Sequence, residues 1–256
     1  MLFDSIVYGP IHSRRLGVSL GMNLMPTTAK LCSFDCVYCE CGFNQPVSHP
    51  QLPSREEVCT QLETKLKAMA DSSSPMPDVI TFSGNGEPTM HPEFKGIIHD
   101  TCALRDRYCP CAKVSVLTNS TQLFRTDVVE ALMQVDNRIL KLDSAIDATM
   151  HLIDQPVNPD LTVDKIVSYL RRFNGDFILQ TCFLRGEHLG QTINNTTPEE
   201  LNAWYRVVDE LKPKELMIYV IDRATPVKTL VKVSREEMET IAAPLREKGY
   251  NVIVSA

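Results

Sequence analysis

Apolar residues fall along the chain in two kinds of run. Short β-branched runs alternate with longer stretches in which apolar and polar positions share the turns of a helix. "GVSLGMNLM" over 17–25 reads as a first strand. "SREEVCTQLETKLKAMA" from Ser54 reads as a helix, opened by a capping box of Ser54 with Glu57 three residues on. "DVITFSG" from Asp78 is a buried strand that runs into glycines. "HPEFKGIIHDTCALRDRY" is helical, with Pro92 suited to its first turn. The later strands are "KVSVLTNS" from Lys113, "RILKLDS" from Arg138, "DFILQTCFL" from Asp176, "ELMIYVI" and the closing "YNVIVSA". The helices between them are "TDVVEALMQV", "TVDKIVSYLRRF", "PEELNAWYRVVDEL" from Pro198 and "SREEMETIAAPLREKG".

This is β-α repeated about six times with an extra strand, which predicts a parallel sheet with crossover helices. The count falls short of the eight units of a closed barrel. An open partial barrel and a doubly wound sheet both satisfy it. "SSSPMP" reads as a loop, and no linker demands a second domain. A single domain over 1–256 is expected: an N-terminal arm and first strand over 1–25, then a loop over 26–42.

Composition narrows the class. Hydrophobic residues make up 43% of the 256, enough for a packed core. No apolar run approaches the roughly 20 residues that span a bilayer. The start, "MLFDSIVYGPIHSRR", has no apolar signal-peptide region, so a cytoplasmic protein with no membrane partner is expected. There thiols stay reduced, and nine cysteines is an odd count for a disulfide framework. A net charge of −6 does not favour a nucleic-acid partner, though it allows a local basic patch. Arg14, Arg15 and Lys30 face only Asp4 across the first 31 residues. The two arginines suit either an anionic ligand or a charged surface.

The chemistry concentrates in "AKLCSFDCVYCECG" from Ala29, where the spacing is Cys32-x-x-x-Cys36-x-x-Cys39, with Cys41 two further on. Zinc wants four ligands, commonly as two Cys-x-x-Cys pairs, and Cys109-Pro-Cys111 is tight for a second pair. A redox dithiol leaves Cys32 unexplained. Three thiolates suit three irons of a [4Fe–4S] cluster, with the fourth iron open to a ligand. Cys41 reads as a loop residue, and Cys59, Cys102 and Cys182 as small core residues.

This spacing resembles the signature of the radical S-adenosylmethionine (SAM) superfamily. Tyr38 before the third cysteine and Gly42 three residues after it match as well. The resemblance implies a partial (β/α)6 TIM-like barrel and a [4Fe–4S] cluster on Cys32, Cys36 and Cys39. It also implies reductive cleavage of SAM to a 5′-deoxyadenosyl radical, and an electron from a partner such as flavodoxin or ferredoxin. "SGNGEPT" from Ser83 looks like the superfamily's Gly-Gly-Glu-Pro motif with Asn85 as an extra or variant residue, and carries over Gly84, Gly86 and Glu87 as SAM contacts. Asn119, ending "LTNS", suits either the SAM ribose or a helix cap. Lys141, Asp143 and Ser144 in "LKLDS" are expected to hold the SAM ribose or carboxylate, with a solvated strand end as the other reading. Gln180, Arg185, Asp222 and Arg223 also lie where strands finish, the functional face of such barrels.

"YGPIHSRRLGVSLGMNLMP" from Tyr8, with "LKLDS" and "DRATP", is similar to the wyosine-synthase-like branch. That branch's tRNA-modifying members carry a second cluster on cysteines upstream of the signature. No cysteine precedes Cys32 here, so the chemistry carries over and the tRNA substrate does not. Activation of a glycyl-radical enzyme is the alternative within the superfamily. A non-catalytic iron–sulfur or zinc protein is the alternative outside it. A second cluster at Cys109, Cys111 or Cys182 is left open. No Gly-rich phosphate loop follows the first strand.

Overall fold

The structure is a computed structural model and describes residues 2–13, 17–72 and 75–256. Arg14 and Arg15 lie outside the described residues. The chain has a mixed α/β fold with a mostly parallel sheet and surrounding helices. Its contacts gather into two compact units: Met1–Cys32, Asn44–Thr118 and Gln122–Arg138 form the first, and Ser33–Phe43, Asn119–Thr121 and Ile139–Ala256 the second. Among the described residues no helix is long and apolar enough to cross a membrane.

In the first unit the strands run in the order β1 (Val7–Ser13), β2 (Gly17–Met22), β3 (Val79–Phe82) and β4 (Lys113–Thr118). β1 pairs antiparallel with β2, and the other neighbours are parallel. Every residue of β3, Val-Ile-Thr-Phe, is buried, as a strand covered on both faces requires. Helices α1 (Arg55–Ala70), α2 (Phe94–Tyr108) and α3 (Thr126–Leu132) belong to this unit. The capping box at Ser54 forms as the sequence predicts. Pro92 falls short of α2, which begins at Phe94. Cys59 of α1 and Cys102 of α2 are half-buried rather than core residues, because the helix faces that carry them also meet solvent. The N-terminal arm is itself structured. The Tyr8 ring lies on Gly21, where an added Cβ would meet it at 2.1 Å, and the Tyr8 hydroxyl donates to the Ser83 carbonyl at 2.8 Å.

The second unit orders β5 (Asn137–Lys141, in this unit from Ile139), β6 (Ile178–His188), β8 (Glu215–Val220) and β10 (Val252–Ser255) in parallel. β6 overruns its parallel neighbours. Its far half pairs antiparallel with β7 (Gln191–Asn194) and β9 (Val231–Lys232). Around these strands lie α4 (Asp147–Asp154), α5 (Val163–Leu170), α6 (Pro198–Leu211) and α7 (Arg235–Glu247). Trp204 of α6 packs edge-on to Phe183 with ring centroids 5.3 Å apart, and its indole donates to Thr181 Oγ1 at 3.0 Å. A large buried aromatic thus keeps its polar handle satisfied.

Candidate functional site

In the first unit the site is built on the turn after β3. Leu31 bridges to Gly86 as in a parallel ladder. Its N–H donates to the Asn85 carbonyl at 2.8 Å, and its carbonyl accepts from the Glu87 N–H at 3.1 Å. Gly86 has φ +148°, and a Cβ there would fall 1.7 Å from the Leu31 oxygen, so only glycine fits. This pairing brings the chain to Cys32, the next residue, directly from the Asn85–Glu87 corner. The Cys32 N–H and carbonyl are held in turn by the Asn44 side chain, at 3.1 and 3.0 Å.

Glu87 is 2% exposed. Its Oε1 accepts from the Thr89 N–H at 3.1 Å, Thr89 Oγ1 at 2.5 Å and Thr118 Oγ1 at 2.7 Å. Three donors on one oxygen fix the orientation of the carboxyl group. Asn85 is not a spare residue of the motif. It is fully buried, its amide donates to the carbonyls of Phe3 and Pro26, its Oδ1 accepts from the Phe3 N–H, and its own N–H donates to Asn23 Oδ1. It ties the N-terminal arm to the corner.

In the second unit the loop Ser33–Phe43 is laced to the tail of α4. The Asp35 N–H donates to the Asp154 carbonyl at 2.9 Å, the Val37 N–H to Ile153 at 2.9 Å, and the Val157 N–H back to Ser33 at 3.0 Å. Successive turns follow, Cys39 N–H to the Cys36 carbonyl and Gly42 N–H to that of Cys39. Val37 sits in an apolar cluster with Ile153, Cys182, Leu184, Ile193 and Val227. Cys36, Cys39 and Cys41 are half-buried, as is Cys32 in the first unit.

Lys141, Asp143 and Tyr38 meet beside Cys36. The Lys141 ammonium pairs with Asp143 Oδ2 at 2.9 Å and with the Asp154 carboxylate, and lies 3.6 Å from Cys36 Sγ. The Tyr38 hydroxyl donates to Asp143 Oδ2 at 2.5 Å and accepts from the Tyr219 hydroxyl at 3.3 Å. The other Asp143 oxygen accepts from the Cys182 N–H at 2.9 Å. Burial works against the Lys141 ammonium, yet Asp143 and Asp154 together hold it well above its ordinary value. Burial likewise pushes the Asp154 carboxyl up, against the pull of Lys141. Burial and then Asp143 raise the Tyr38 phenol and the Cys182 thiol.

Asn119 and Ser144 each close a local turn and reach a side chain far away in sequence. Asn119 Nδ2 donates to Ser33 Oγ at 2.9 Å, and its Oδ1 accepts from the Thr121 N–H at 3.1 Å. The Ser144 hydroxyl donates to the buried Glu200 at 2.7 Å and accepts from the Ile146 N–H at 2.9 Å. Of the other strand-end residues, Arg223 reaches the loop and pairs with Glu40 at 2.7 Å. Arg185 turns to Glu237 at 2.6 Å, Asp222 to Lys232 at 3.6 Å, and the Gln180 amide to Met217 Sδ at 3.6 Å. Sequence reasoning missed Asp154 and Tyr219. Asp154 is an acid among the apolar residues of "MHLID", a pattern that flags a buried partner. Among the described residues no three His, Cys, Asp or Glu side chains converge as ligands of a single metal ion do. A cubane cluster spreads its cysteinates over separate irons and needs no such convergence. The chemistry of the donors fits it: half-buried cysteines, with an ammonium against the Cys36 sulfur where cysteinate charge would gather.

Solved structures with this fold include radical SAM enzymes. A radical SAM methyltransferase from Sphaerobacter thermophilus matches 92% of this chain and 65% of its own, with TM-score 0.66 at 14% identity. TYW1 with a lysine-pyruvate adduct bound matches 90% and 73%, with TM-score 0.64 at 14% identity. Streptococcus suis SuiB bound to precursor peptide SuiA matches 92% and 48%, with TM-score 0.63 at 15% identity. The fold is that of radical SAM enzymes. The partial barrel expected from the sequence is the architecture of these structures. Among curated sequences, a protein named GTPase Obg from Brachyspira hyodysenteriae is 31% identical over 239 residues, 91% of this chain and 32% of that protein. A UPF0026 protein of Methanocaldococcus jannaschii is 31% identical over 186 residues, 70% of this chain and 54% of its own. The chain thus spans between about a third and just over half the length of these relatives. No family model matches the chain.

Proposed function

We propose that this chain is a radical SAM enzyme in which Cys32, Cys36 and Cys39 hold a [4Fe–4S] cluster. The observation that carries the reading is the Leu31–Gly86 pairing, which joins the start of the three-cysteine signature to the glycine–glutamate corner by backbone alone. When bound, the cluster and SAM supply reductive carbon–sulfur cleavage and a 5′-deoxyadenosyl radical that abstracts hydrogen from a substrate. The protein's own work is binding and orientation. Gly84 and Gly86 open the backbone to close approach, and the Glu87 carboxylate takes the SAM amino group with its orientation preset by Thr89 and Thr118. Tyr38, Asn119, Lys141, Asp143 and Ser144 border the SAM ribose and carboxylate. A reducing partner such as flavodoxin or ferredoxin delivers the electron.

The test is anaerobic. The cluster is reconstituted and reduced, SAM is added, and 5′-deoxyadenosine is measured. Wild-type protein is expected to release it, Cys36→Ala to bind no cluster, and Cys41→Ala to keep the cluster. Glu87→Ala is expected to keep the cluster and lose SAM affinity. A reconstituted wild-type cluster that binds no SAM overturns the reading, and loss of iron in Cys41→Ala overturns the ligand set.

A further inference from the structure

The ammonium of Lys141 has three N–H donors and three acceptors on separate elements: Asp143 past the end of its own strand, Asp154 at the end of α4, and Cys36 Sγ on the loop. Its Nζ also lies 4.9 Å from the Phe34 ring centroid and 5.5 Å from that of Tyr38. The side chain is 11% exposed. With each donor matched and two aromatic rings against it, this lysine has one place to be. The two carboxylates that fix it are themselves tied: Asp143 by Tyr38 and the Cys182 N–H, and Asp154 by a helix whose tail carries the loop's backbone.

We propose that Lys141, clamped by Asp143 and Asp154, is a positioning residue that fixes the Cys36 sulfur and tunes the potential of the cluster that sulfur holds. The inference rests on the cluster assignment above. A donated N–H and a positive charge at a cysteinate sulfur stabilise the reduced, more negative state of an iron–sulfur centre, so the contact raises its reduction potential. Lysine supplies both effects at the Cys36 sulfur. The contact also holds the loop without the cluster, because it joins the loop to β5 and α4 through a side chain as well as backbone.

The experiment compares wild type with Lys141→Met and with the double variant Lys141→Met/Asp154→Asn, which removes the pair together. Iron per chain and the midpoint potential are read by anaerobic redox titration. Both variants are expected to fold by circular dichroism and to load iron. The Lys141→Met midpoint is expected to fall by at least a tenfold change in the reduction equilibrium, about 59 mV for one electron. The double variant, which loses a negative charge beside the same sulfur along with the positive one, is expected to fall by less. Folded variants that load no iron while wild type does also support the positioning role. A loaded Lys141→Met protein with a midpoint within about twofold of wild type in that equilibrium overturns it. A separate reading needs no cluster. In apo protein the amides of Asp35 and Val37 are expected to exchange hydrogen about tenfold faster in Lys141→Met. If wild type itself holds no cluster, the functional reading fails, and unchanged apo exchange then overturns this inference as well.

Discussion

At the scale of single residues, two glycines that look alike in the sequence face opposite demands. Gly42 has φ +83° and nothing within 4 Å of an added Cβ, whereas Gly86 has φ +148° and a carbonyl oxygen at 1.7 Å. Gly42→Ala is expected to carry only the left-handed backbone cost, about 1–2 kcal/mol. Gly86→Ala must also break the Leu31 pairing, and is expected to cost more than about 3 kcal/mol. Urea midpoints check this, and equal losses would mean that the corner yields easily. The glycine–glutamate motif was legible because its residues are contiguous. The task of Asn85 was not. Its partners Phe3, Asn23, Pro26 and Leu31 lie 54 to 82 positions away in sequence, and nothing local marks them. Lys141 shows the same limit: "LKLDS" flags an unusual lysine, but naming Asp154 as its partner needs the fold.

At the scale of elements, the same four letters, Ser-Arg-Glu-Glu, open α1 and α7. Both form reciprocal capping boxes, and Ser54→Ala is expected to cost about 1 kcal/mol by thermal or urea unfolding. The α7 box has an addition, since Arg185 of β6 pairs with Glu237 at 2.6 Å. That pairing, together with the hydrogen bonds that the Ser234 N–H and hydroxyl donate, holds the Glu237 carboxyl down to about 2. A carboxyl depressed by folding stabilises the protein above its unfolded pKa, roughly 4.3, and loses that contribution as pH falls toward about 2. The stability gap between wild type and Glu237→Gln is therefore expected to be full at about pH 6, to shrink from about pH 5 to about pH 2, and to vanish below. A gap that stays constant down to about pH 2 would show that the acid is not held this way. Apolar periodicity made most helices legible, including α2 and α3, which have no side-chain cap bond. Helix α4, eight residues long, was missed. Strands β7 and β9 were missed because each exists only as a partner of the overrun of β6, a long-range pairing with no periodicity of its own.

At the scale of the whole molecule, the question is whether the proposed cluster would stabilise the fold or only be held by it. Small metal domains unfold when their metal leaves, because the ligands are most of their core. This chain differs. The first unit buries Leu20, Met22, Ile80, Phe82, Val114 and Val116 along its strands, and the second buries Leu140, Leu179, Leu216, Ile218, Met238 and Leu245. None of these neighbours the proposed ligands in sequence, and burial on this scale supplies the main driving force for folding. Even the cysteine loop has its own footing, through Val37 in an apolar cluster and backbone bonds to the tail of α4. Stripping iron with a chelator under reducing conditions is therefore expected to bleach the protein while leaving its far-ultraviolet circular dichroism within about a tenth of the holo signal. Protection from hydrogen exchange should fall chiefly over 33–43. That outcome fits a scaffold whose parallel strands were readable from the sequence because they are built by local apolar runs, with the chemistry set on a loop pinned to it. Global unfolding of the apo protein would instead make the cysteines structural, and would move the reading toward a metal-stapled protein with no open iron.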